Sequence, residues 1–400
     1  MKDDTRLCLK DTEPNNDKIL KNYAECIAKR EKFVKYDITV AKITKKGDGY
    51  LATPYEIDIK GATADGEKEV NLFVKNIIAN DTFGGFFSIK EAYNRECYFY
   101  KELSKIFSQL QEGKVPKGDK LNMVKGYEES TTEAIIMDNA TKKGYKTLNR
   151  MEVVAPLKFI ELALEQLAKI HGLGFVIHEE MPEYFNDNIA IKEFPMIFNE
   201  EWKKIARSAI NITLKNLNPV PRKKAEGFVP KILSKLEEYY KEKSLIRTLC
   251  HGDFRVMNLL MKEINGEVTE VIPIDYQIIY YGCPATDVLY LLYGSTDLNL
   301  RKQHHKRLIN LYYDTLSRFL KYFEIDVKDV YPRKEFDAAI ERRSEFGLMM
   351  ALYFYPLFFA PDDDVPEITE DFTTKHYKLD SEIMKKVEEI IEEFEEAGLL

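Results

Sequence analysis

Apolar and polar residues alternate in the first third of the chain, and this alternation predicts β-strands. It runs over residues 37–43, 55–60 and 70–75, with glycine-containing turns between the runs. A period of two is typical of strands that bury one face. Strand-like patterns follow at residues 120–127 and 133–137. We therefore expect a small antiparallel sheet in this part of the chain.

Apolar residues recur at helical spacing in most of the remaining sequence. Helices predominate beyond residue 144, and only residues 249–278 are rich in strand-forming residues, with a hairpin turn at Asn265-Gly266. A helix over residues 89–110 is predicted by a stripe of Tyr93, Cys97, Tyr100 and Leu103. The order of elements predicts an α+β protein with the two-lobed fold of protein kinases.

Three segments follow from the same pattern. Residues 1–35 are predicted to form a helical extension. Residues 36–140 are predicted to form an N-terminal lobe that holds the antiparallel sheet and one helix. Residues 141–400 are predicted to form a larger, mostly helical C-terminal lobe.

Charge and composition exclude several classes of partner. The chain of 400 residues has a net charge of -8, whereas nucleic acids and anionic membranes attract clustered basic residues. No apolar run approaches the length of a membrane span, and the five cysteines suggest neither a disulfide framework nor a metal site. We expect a cytoplasmic protein without nucleic-acid or membrane partners, either a monomer or a weak homodimer.

The strongest chemical signal is the segment from His251 to Asn258, which reads His-Gly-Asp-Phe-Arg-Val-Met-Asn. Phosphoryl transfer requires a carboxylate that orients the acceptor hydroxyl and takes its proton, and Asp253 fits that role. The amide oxygen of Asn258 lies five positions later and can bind Mg²⁺. A chance combination of turn residues is the alternative explanation.

A second acidic residue makes the chance explanation less favourable. The apolar strand that begins at Val268 ends on Asp275, just after the predicted hairpin. Mg²⁺ prefers one or two protein carboxylates together with phosphate oxygens and water. An aspartate at a strand end is by itself more often a turn cap, but Asp275 follows the Asp253 segment directly. We therefore predict that Asp275 and Asn258 are the metal ligands.

Lys75 ends the third predicted strand and needs an anionic partner if it is buried. Glu96, on the following helix, is the expected partner, although Glu91 and Glu102 lie on the same helix. Kinases use such a lysine–glutamate pair to hold the phosphates of ATP. A surface lysine beside a surface glutamate is the alternative.

Other residues have weaker signals. Gly47 and Gly49 join the first two strands, where backbone amides could cover the phosphates, and an ordinary hairpin turn explains them nearly as well. Asp287 opens an apolar helix and is expected to cap it and to brace the catalytic loop. His171 is expected to be a core histidine that hydrogen-bonds to that loop.

These segments together resemble the ecdysteroid kinase-like family, which is related to choline kinases and aminoglycoside phosphotransferases. The resemblance covers residues from about 38 to the C-terminus. It implies ATP and Mg²⁺ as cofactors and a small-molecule alcohol as substrate, such as an ecdysteroid or a foreign compound that is detoxified. It also places Met137, in the connector between the lobes, among the nucleotide-binding residues. The segments that carry the resemblance are residues 72–75, 95–100, 167–171, 249–258, 274–277 and 282–287.

The sequence departs from the family pattern in the catalytic loop. Arg255 stands where the family usually has tryptophan, and the connector reads Met-Asp-Asn from Met137 instead of Glu-Asp-Leu. We hypothesise that Arg255 contacts the γ-phosphate of ATP with its planar guanidinium group. A salt bridge to a nearby carboxylate is an equally good explanation.

Three further functions are alternatives to this assignment. A catalytically weak relative that binds a hydrophobic ligand has no need of Lys75, Asp253, Asn258 and Asp275 together. A choline- or ethanolamine-type kinase would use the same residues with a different acceptor. A protein kinase is disfavoured because no Ala-Pro-Glu element follows Asp275.

Overall fold

The computed structural model describes residues 13–43, 52–77, 82–83, 85–149, 154–361 and 375–400. Its strands are β1 (Phe33–Lys42), β2 (Ala52–Thr63), β3 (Gly66–Ile77), β4 (Thr82–Phe83), β5 (Phe87–Ser88), β6 (Ala134–Asp138), β7 (Tyr145–Thr147), β8 (Thr248–Cys250), β9 (Leu259–Ile264), β10 (Glu267–Pro273) and β11 (Tyr280–Gly282). Its α-helices are α1 (Glu13–Arg30), α2 (Ile89–Tyr98), α3 (Ser104–Gln111), α4 (Leu157–Glu180), α5 (Pro182–Asn188), α6 (Glu200–Asn216), α7 (Pro219–Glu226), α8 (Val229–Lys241), α9 (Pro284–Ser295), α10 (Leu298–Lys321), α11 (Val327–Val330), α12 (Arg333–Arg342), α13 (Phe346–Met349), α14 (Tyr355–Phe358) and α15 (Ser381–Glu396).

The N-terminal sheet is antiparallel, with the strand order β1-β2-β3-β6. Alternation along β3 buries Leu72 and Val74 on one face, in a cluster with α1. The opposite face carries Phe73 and Lys75 and is directed towards the main core. The period of two in the sequence therefore corresponds to a sheet covered on both faces. Strand β1 begins at Phe33, inside the segment predicted to be a helical extension.

The prediction of a strand over residues 120–127 is wrong. This segment has only an isolated bridge, between Gly126 and Met137. The backbone amide of Leu121 donates to Gln111 Oε1, and the amide of Asn122 donates to Gln166 Oε1. Glutamine side chains on α3 and α4 thus satisfy amides that a strand would direct to a neighbouring strand.

The predicted helix over residues 89–110 is present with one irregularity. Helix α2 and helix α3 are joined by a π-helical turn over Phe99–Leu103. Such a turn shifts the side chains that follow it around the helix axis. Phe99, the first residue of this turn, is fully buried in the main core.

The C-terminal part is mainly helical and is organised around α4, which packs against α10, β8 and β10. Strands β9 and β10 form the expected hairpin, and its turn residues Asn265 and Gly266 have φ values of 54° and 82°. A two-residue turn with two positive φ values matches the twist of the flanking strands. The hairpin lies directly between Asn258 and Asp275 in the sequence, so its pairing brings the two residues close together.

The expectation of an α+β protein, with an N-terminal antiparallel sheet and a mainly helical remainder, is confirmed. A second apolar cluster lies where α6, α8, α9, α13 and α15 meet. Within the described ranges, none of the helices has the length and apolar character needed to cross a membrane.

Candidate active site

The segment after β8 forms a loop whose backbone is anchored by Asp287. Asp287 Oδ2 accepts a 2.6 Å hydrogen bond from the amide of His251, and Oδ1 accepts a 3.0 Å bond from the amide of Gly252. His171 Nε2 lies 3.2 Å from Asp287 Oδ2, and His171 Nδ1 lies 2.7 Å from the hydroxyl of Tyr312. The buried carboxylate therefore braces the loop.

The expectation that Asp287 caps α9 is wrong, because the cap is Cys283 and Asp287 lies in the first turn.

Glycine is required at position 252. Gly252 has a φ of 85°, in the left-handed region that is unfavourable for residues with a Cβ atom. A Cβ atom added there would lie 2.5 Å from the carbonyl oxygen of Ile278. The chain consequently turns sharply between His251 and Asp253.

Both oxygens of Asp253 have polar neighbours. Oδ1 accepts a 2.7 Å hydrogen bond from the hydroxyl of Tyr290, and Oδ2 accepts a 2.8 Å bond from Asn258 Nδ2. Arg255 Nε lies 3.0 Å from Oδ1. Burial raises the pKa of the Asp253 carboxyl, but Arg255, Tyr290, His251 and Asn258 outweigh it and hold the pKa below its usual value. Asp253 is therefore a carboxylate at neutral pH.

Asn258 uses its side-chain N–H groups on Asp253. Nδ2 donates to the backbone oxygen of Asp253 at 2.9 Å as well as to Oδ2. The amide oxygen of Asn258 is therefore directed away from Asp253. The backbone oxygen of Asn258 accepts a 3.0 Å hydrogen bond from the amide of Ile274, so the residue before Asp275 is tied to Asn258.

Asp275 follows β10 in an unusual backbone conformation. Its φ is 67°, which is uncommon for a residue with a side chain and points to a position that the surrounding structure enforces. Asp275 Oδ1 lies 3.2 Å from Lys75 Nζ and is buried without a hydrogen bond in the part of the chain that the structure describes. Burying a carboxylate oxygen in this way is costly unless a cation is near.

Lys75 lies between two carboxylates. Its Nζ is 3.0 Å from Glu96 Oε1 and 2.9 Å from Glu96 Oε2, so the structure pairs it with Glu96 and not with Glu91 or Glu102. Burial lowers the pKa of Lys75, but the charges of Asp275 and Glu96 more than offset it and raise that pKa. Burial also raises the pKa of Glu96, and Lys75 offsets this only in part.

Helix α2 is fixed to the C-terminal part by Arg95, the neighbour of Glu96. Arg95 donates 2.8 Å hydrogen bonds from one nitrogen to the backbone oxygens of Glu193 and Ile279. The ring of Phe99 stacks on Tyr276, which follows Asp275. These contacts join the helix that carries Glu96 to the segment that carries Asp275.

Arg255 occupies the space between the loop of residues 251–258 and α14. Its guanidinium carbon lies 4.1 Å from the centre of the Phe358 ring, and its Nε pairs with Asp253. The salt bridge foreseen from the sequence is thus the contact that the structure has. The predicted contact with a γ-phosphate stays a prediction.

The remaining predicted residues are the connector and the glycine turn. Met137 lies on β6 opposite Phe73 and shares the core-facing side of the sheet with Lys75. Gly47 and Gly49 lie outside the described residues.

Sequence reasoning missed two residues of this site. Tyr290 binds Asp253, and Arg95 anchors the helix of Glu96. Tyr290 follows Asp287 by three residues on α9. Residues at that spacing share a helix face, so the position of Asp287 was a usable signal for Tyr290.

Comparison with known proteins identifies a family. The model of the ecdysteroid kinase-like family matches residues 46–325, which is well over half of the chain. No curated protein matches the sequence.

Three solved structures are similar to this chain at low identity. The GDP complex of wild-type aminoglycoside 2'-phosphotransferase-IIIa is 13% identical, with 82% of this chain and 98% of that chain covered and a TM-score of 0.39. Plasmodium vivax ethanolamine kinase is 12% identical, with coverage of 87% and 98% and a TM-score of 0.39. A microcompartment-associated aminopropanol kinase is 12% identical, with coverage of 96% and 99% and a TM-score of 0.39. TM-scores of this size support no inference about substrate.

Proposed function

We propose, from the premise that this chain belongs to the ecdysteroid kinase-like family of small-molecule kinases, that it transfers the γ-phosphoryl group of ATP to a hydroxyl group. The acceptor is a small, largely apolar alcohol, such as an ecdysteroid or a foreign compound. The observation that carries the proposal is the contact of Asp253 with Asn258 together with the contact of Asp275 with Lys75. Asp253, Asn258 and Asp275 lie within one stretch of the chain, whereas Lys75 comes from β3 of the N-terminal sheet.

Asp253 is the proposed catalytic base. Its pKa is held low, so the carboxylate is ready to accept a hydrogen bond from an alcohol at neutral pH. Asn258 and Tyr290 fix the orientation of its two oxygens. A positioned carboxylate lowers the barrier mainly by holding the hydroxyl oxygen in line with the phosphorus atom, and it takes the proton as the new bond forms.

Asn258 and Asp275 are the proposed ligands of Mg²⁺. The set fits the ion, because both groups offer oxygen donors: an amide oxygen directed away from Asp253, and a buried carboxylate oxygen that has no hydrogen bond to any described residue. When bound, Mg²⁺ neutralises charge on the phosphate oxygens. Lys75, held by Glu96, is the proposed contact for the α- and β-phosphates, and Met137 with the Gly47–Gly49 turn is proposed to complete the nucleotide site.

The test is phosphoryl transfer from labelled ATP to steroid, phenolic and amino-alcohol acceptors. Asp253→Asn keeps the shape of the side chain and removes its charge, so it serves as the blank. Asp65→Asn, in the exposed turn between β2 and β3, is the matched control for the loss of one carboxylate.

Two results would contradict the proposal. Equal product from wild type and Asp253→Asn would remove the enzymatic assignment. Tight binding of an apolar alcohol without any product would favour the alternative of a ligand-binding protein.

A further inference from the structure

Arg255 contacts the two groups that would otherwise bind a cationic acceptor beside the proposed catalytic carboxylate. The first is the negative charge of Asp253, which lies 3.0 Å from Arg255 Nε. The second is the ring of Phe358, whose centre lies 4.1 Å from the guanidinium carbon. Ammonium groups are recognised by anionic groups and by aromatic faces. The guanidinium group of Arg255 therefore already pairs with both the carboxylate and the aromatic ring.

The acceptor is expected on the Oδ1 side of Asp253. Oδ2 is bonded to Asn258, whose amide oxygen is assigned to the metal, so the Oδ2 side is the side of the phosphates. Oδ1 is directed towards Tyr290 and Arg255. An alcohol that approaches Asp253 from the side opposite the phosphates meets these two residues first.

The other aromatic rings near Asp253 offer little free surface. Tyr290 packs against Phe346, Phe354 and Phe358, and the first two of these rings are buried, as Tyr290 is. Phe358 is only partly buried. Together with Arg255, Met257 and Phe359 it lines a small pocket beside the catalytic loop. Among these rings, Phe358 is thus the one that an acceptor reaches, and the guanidinium group lies over it.

We propose that Arg255 determines acceptor specificity by excluding alcohols with a cationic group near the phosphorylated hydroxyl, so that the acceptor is neutral or anionic there. This inference rests on the proposed kinase function. It holds whether the guanidinium group stays on Asp253 or turns towards a phosphate, because the positive charge remains at the reacting centre in both positions. A cation a few ångströms away from it is repelled, and in a partly desolvated site such repulsion is a strong effect.

The experiment uses pairs of alcohols in which one member is neutral and the other carries a positive charge. Choline is compared with its neutral isostere 3,3-dimethylbutan-1-ol, and a steroid alcohol is compared with its amino-substituted analogue. We expect wild type to have a kcat/KM at least about ten-fold higher for the neutral member of each pair. Arg255→Met is expected to shift the ratio at least about ten-fold towards the cation, whereas Arg255→Lys, which keeps the charge, is expected to preserve the preference of wild type.

Binding provides the second measurement. The dissociation constants of the same pairs, measured in the presence of ADP and Mg²⁺, are expected to show the same order. A preference of wild type for the cationic member, or an unchanged ratio in Arg255→Met, would overturn the inference about Arg255. Absence of product with all acceptors would overturn the kinase proposal instead, and the binding ratios would still decide the role of Arg255. Absence of both product and binding would overturn both.

Discussion

The ammonium group of Lys75 lies 3.2 Å from Asp275 Oδ1, so a strand of the N-terminal sheet directly contacts the residue that follows the β9–β10 hairpin. The same ammonium group lies 2.9 Å from Glu96, whose side chain has 0% exposure. One cation thus holds two carboxylates, and its removal leaves both without their charge partner. Loss of one partner of a buried ion pair costs more than loss of the whole pair.

Lys75→Met is expected to abolish turnover, by about 10²-fold or more, and to lower the free energy of unfolding by about 2–4 kcal/mol. Lys75→Met combined with Glu96→Gln is expected to recover part of the stability, because the more deeply buried of the two carboxylates is neutralised while Asp275 stays unpaired, but none of the turnover. Urea unfolding and ATP-dependent phosphorylation measure the two effects. Normal turnover of the single variant would contradict the role given to Lys75.

Gly252→Ala tests the proposed catalytic loop against a matched glycine. Both Gly252 and Gly266 have positive φ, but a Cβ at Gly252 meets Ile278 and a Cβ at Gly266 meets nothing within 4 Å. We expect Gly266→Ala to cost about 1 kcal/mol from backbone strain alone. Gly252→Ala is expected to cost several times more and to reduce kcat strongly. Equal stability losses in urea unfolding would show that the close approach to Ile278 is unimportant.

Tyr290→Phe removes the hydroxyl that donates to Asp253 and leaves the ring in place. We expect kcat to fall about ten-fold with an unchanged KM for ATP, since the hydrogen bond orients the carboxylate and does not contact the nucleotide. Tyr353→Phe is the control, because it also loses a buried hydrogen bond, to Trp202, without contact to Asp253. An equal loss of kcat in both variants would mean that packing, and not orientation, is responsible.

The periodic features of this chain were predictable from sequence. Strand β3 and the β9–β10 hairpin follow from alternation and from the Asn265-Gly266 turn, since both depend on neighbouring residues. The pairing of Lys75 with Glu96 was also foreseen, because a lysine on a core-facing strand needs a partner on the helix that packs there. Such features depend on local backbone geometry and on the free-energy cost of burying a charge without a partner.

Features that depend on distant side chains were not predictable. Residues 120–127 have a strand-like pattern, yet Gln111 and Gln166 accept hydrogen bonds from the amides of Leu121 and Asn122. The contact of Arg255 with Phe358 depends on how a loop and a helix about 100 residues apart meet, so the sequence left two explanations open for Arg255. The positive φ of Asp275 likewise results from tertiary contacts.

Lys386 provides a test of stability against pH. This lysine of α15 is 4% exposed, and burial, with the charge of Arg301, lowers its pKa from 10.5 to about 7 despite Asp297 and Glu389. The unfolded chain therefore binds more protons between pH 7 and 10.5, so the free energy of unfolding contributed by this group rises with pH in that window. The destabilisation is complete below pH 7 and disappears above 10.5.

Lys386→Met is accordingly expected to stabilise the fold by about 2–4 kcal/mol near pH 6.5, with a gain that shrinks towards pH 10.5. Lys385→Met, at the exposed neighbouring position, is the control and is expected to change little at any pH. Urea unfolding at a series of pH values provides the comparison. A gain that does not depend on pH would show that apolar packing, and not the buried charge, explains the effect.

The hydrogen bonds of Arg95 and the stacking of Phe99 on Tyr276 have a consequence for affinity. Because they tie helix α2 to the segment of Asp275, the helix cannot swing outwards without losing them. At the nucleotide site proposed above, we therefore expect the Lys75–Glu96 pair to be in place before the nucleotide arrives. We expect the measured dissociation constant to equal the intrinsic one, without a penalty for selecting a rare conformation.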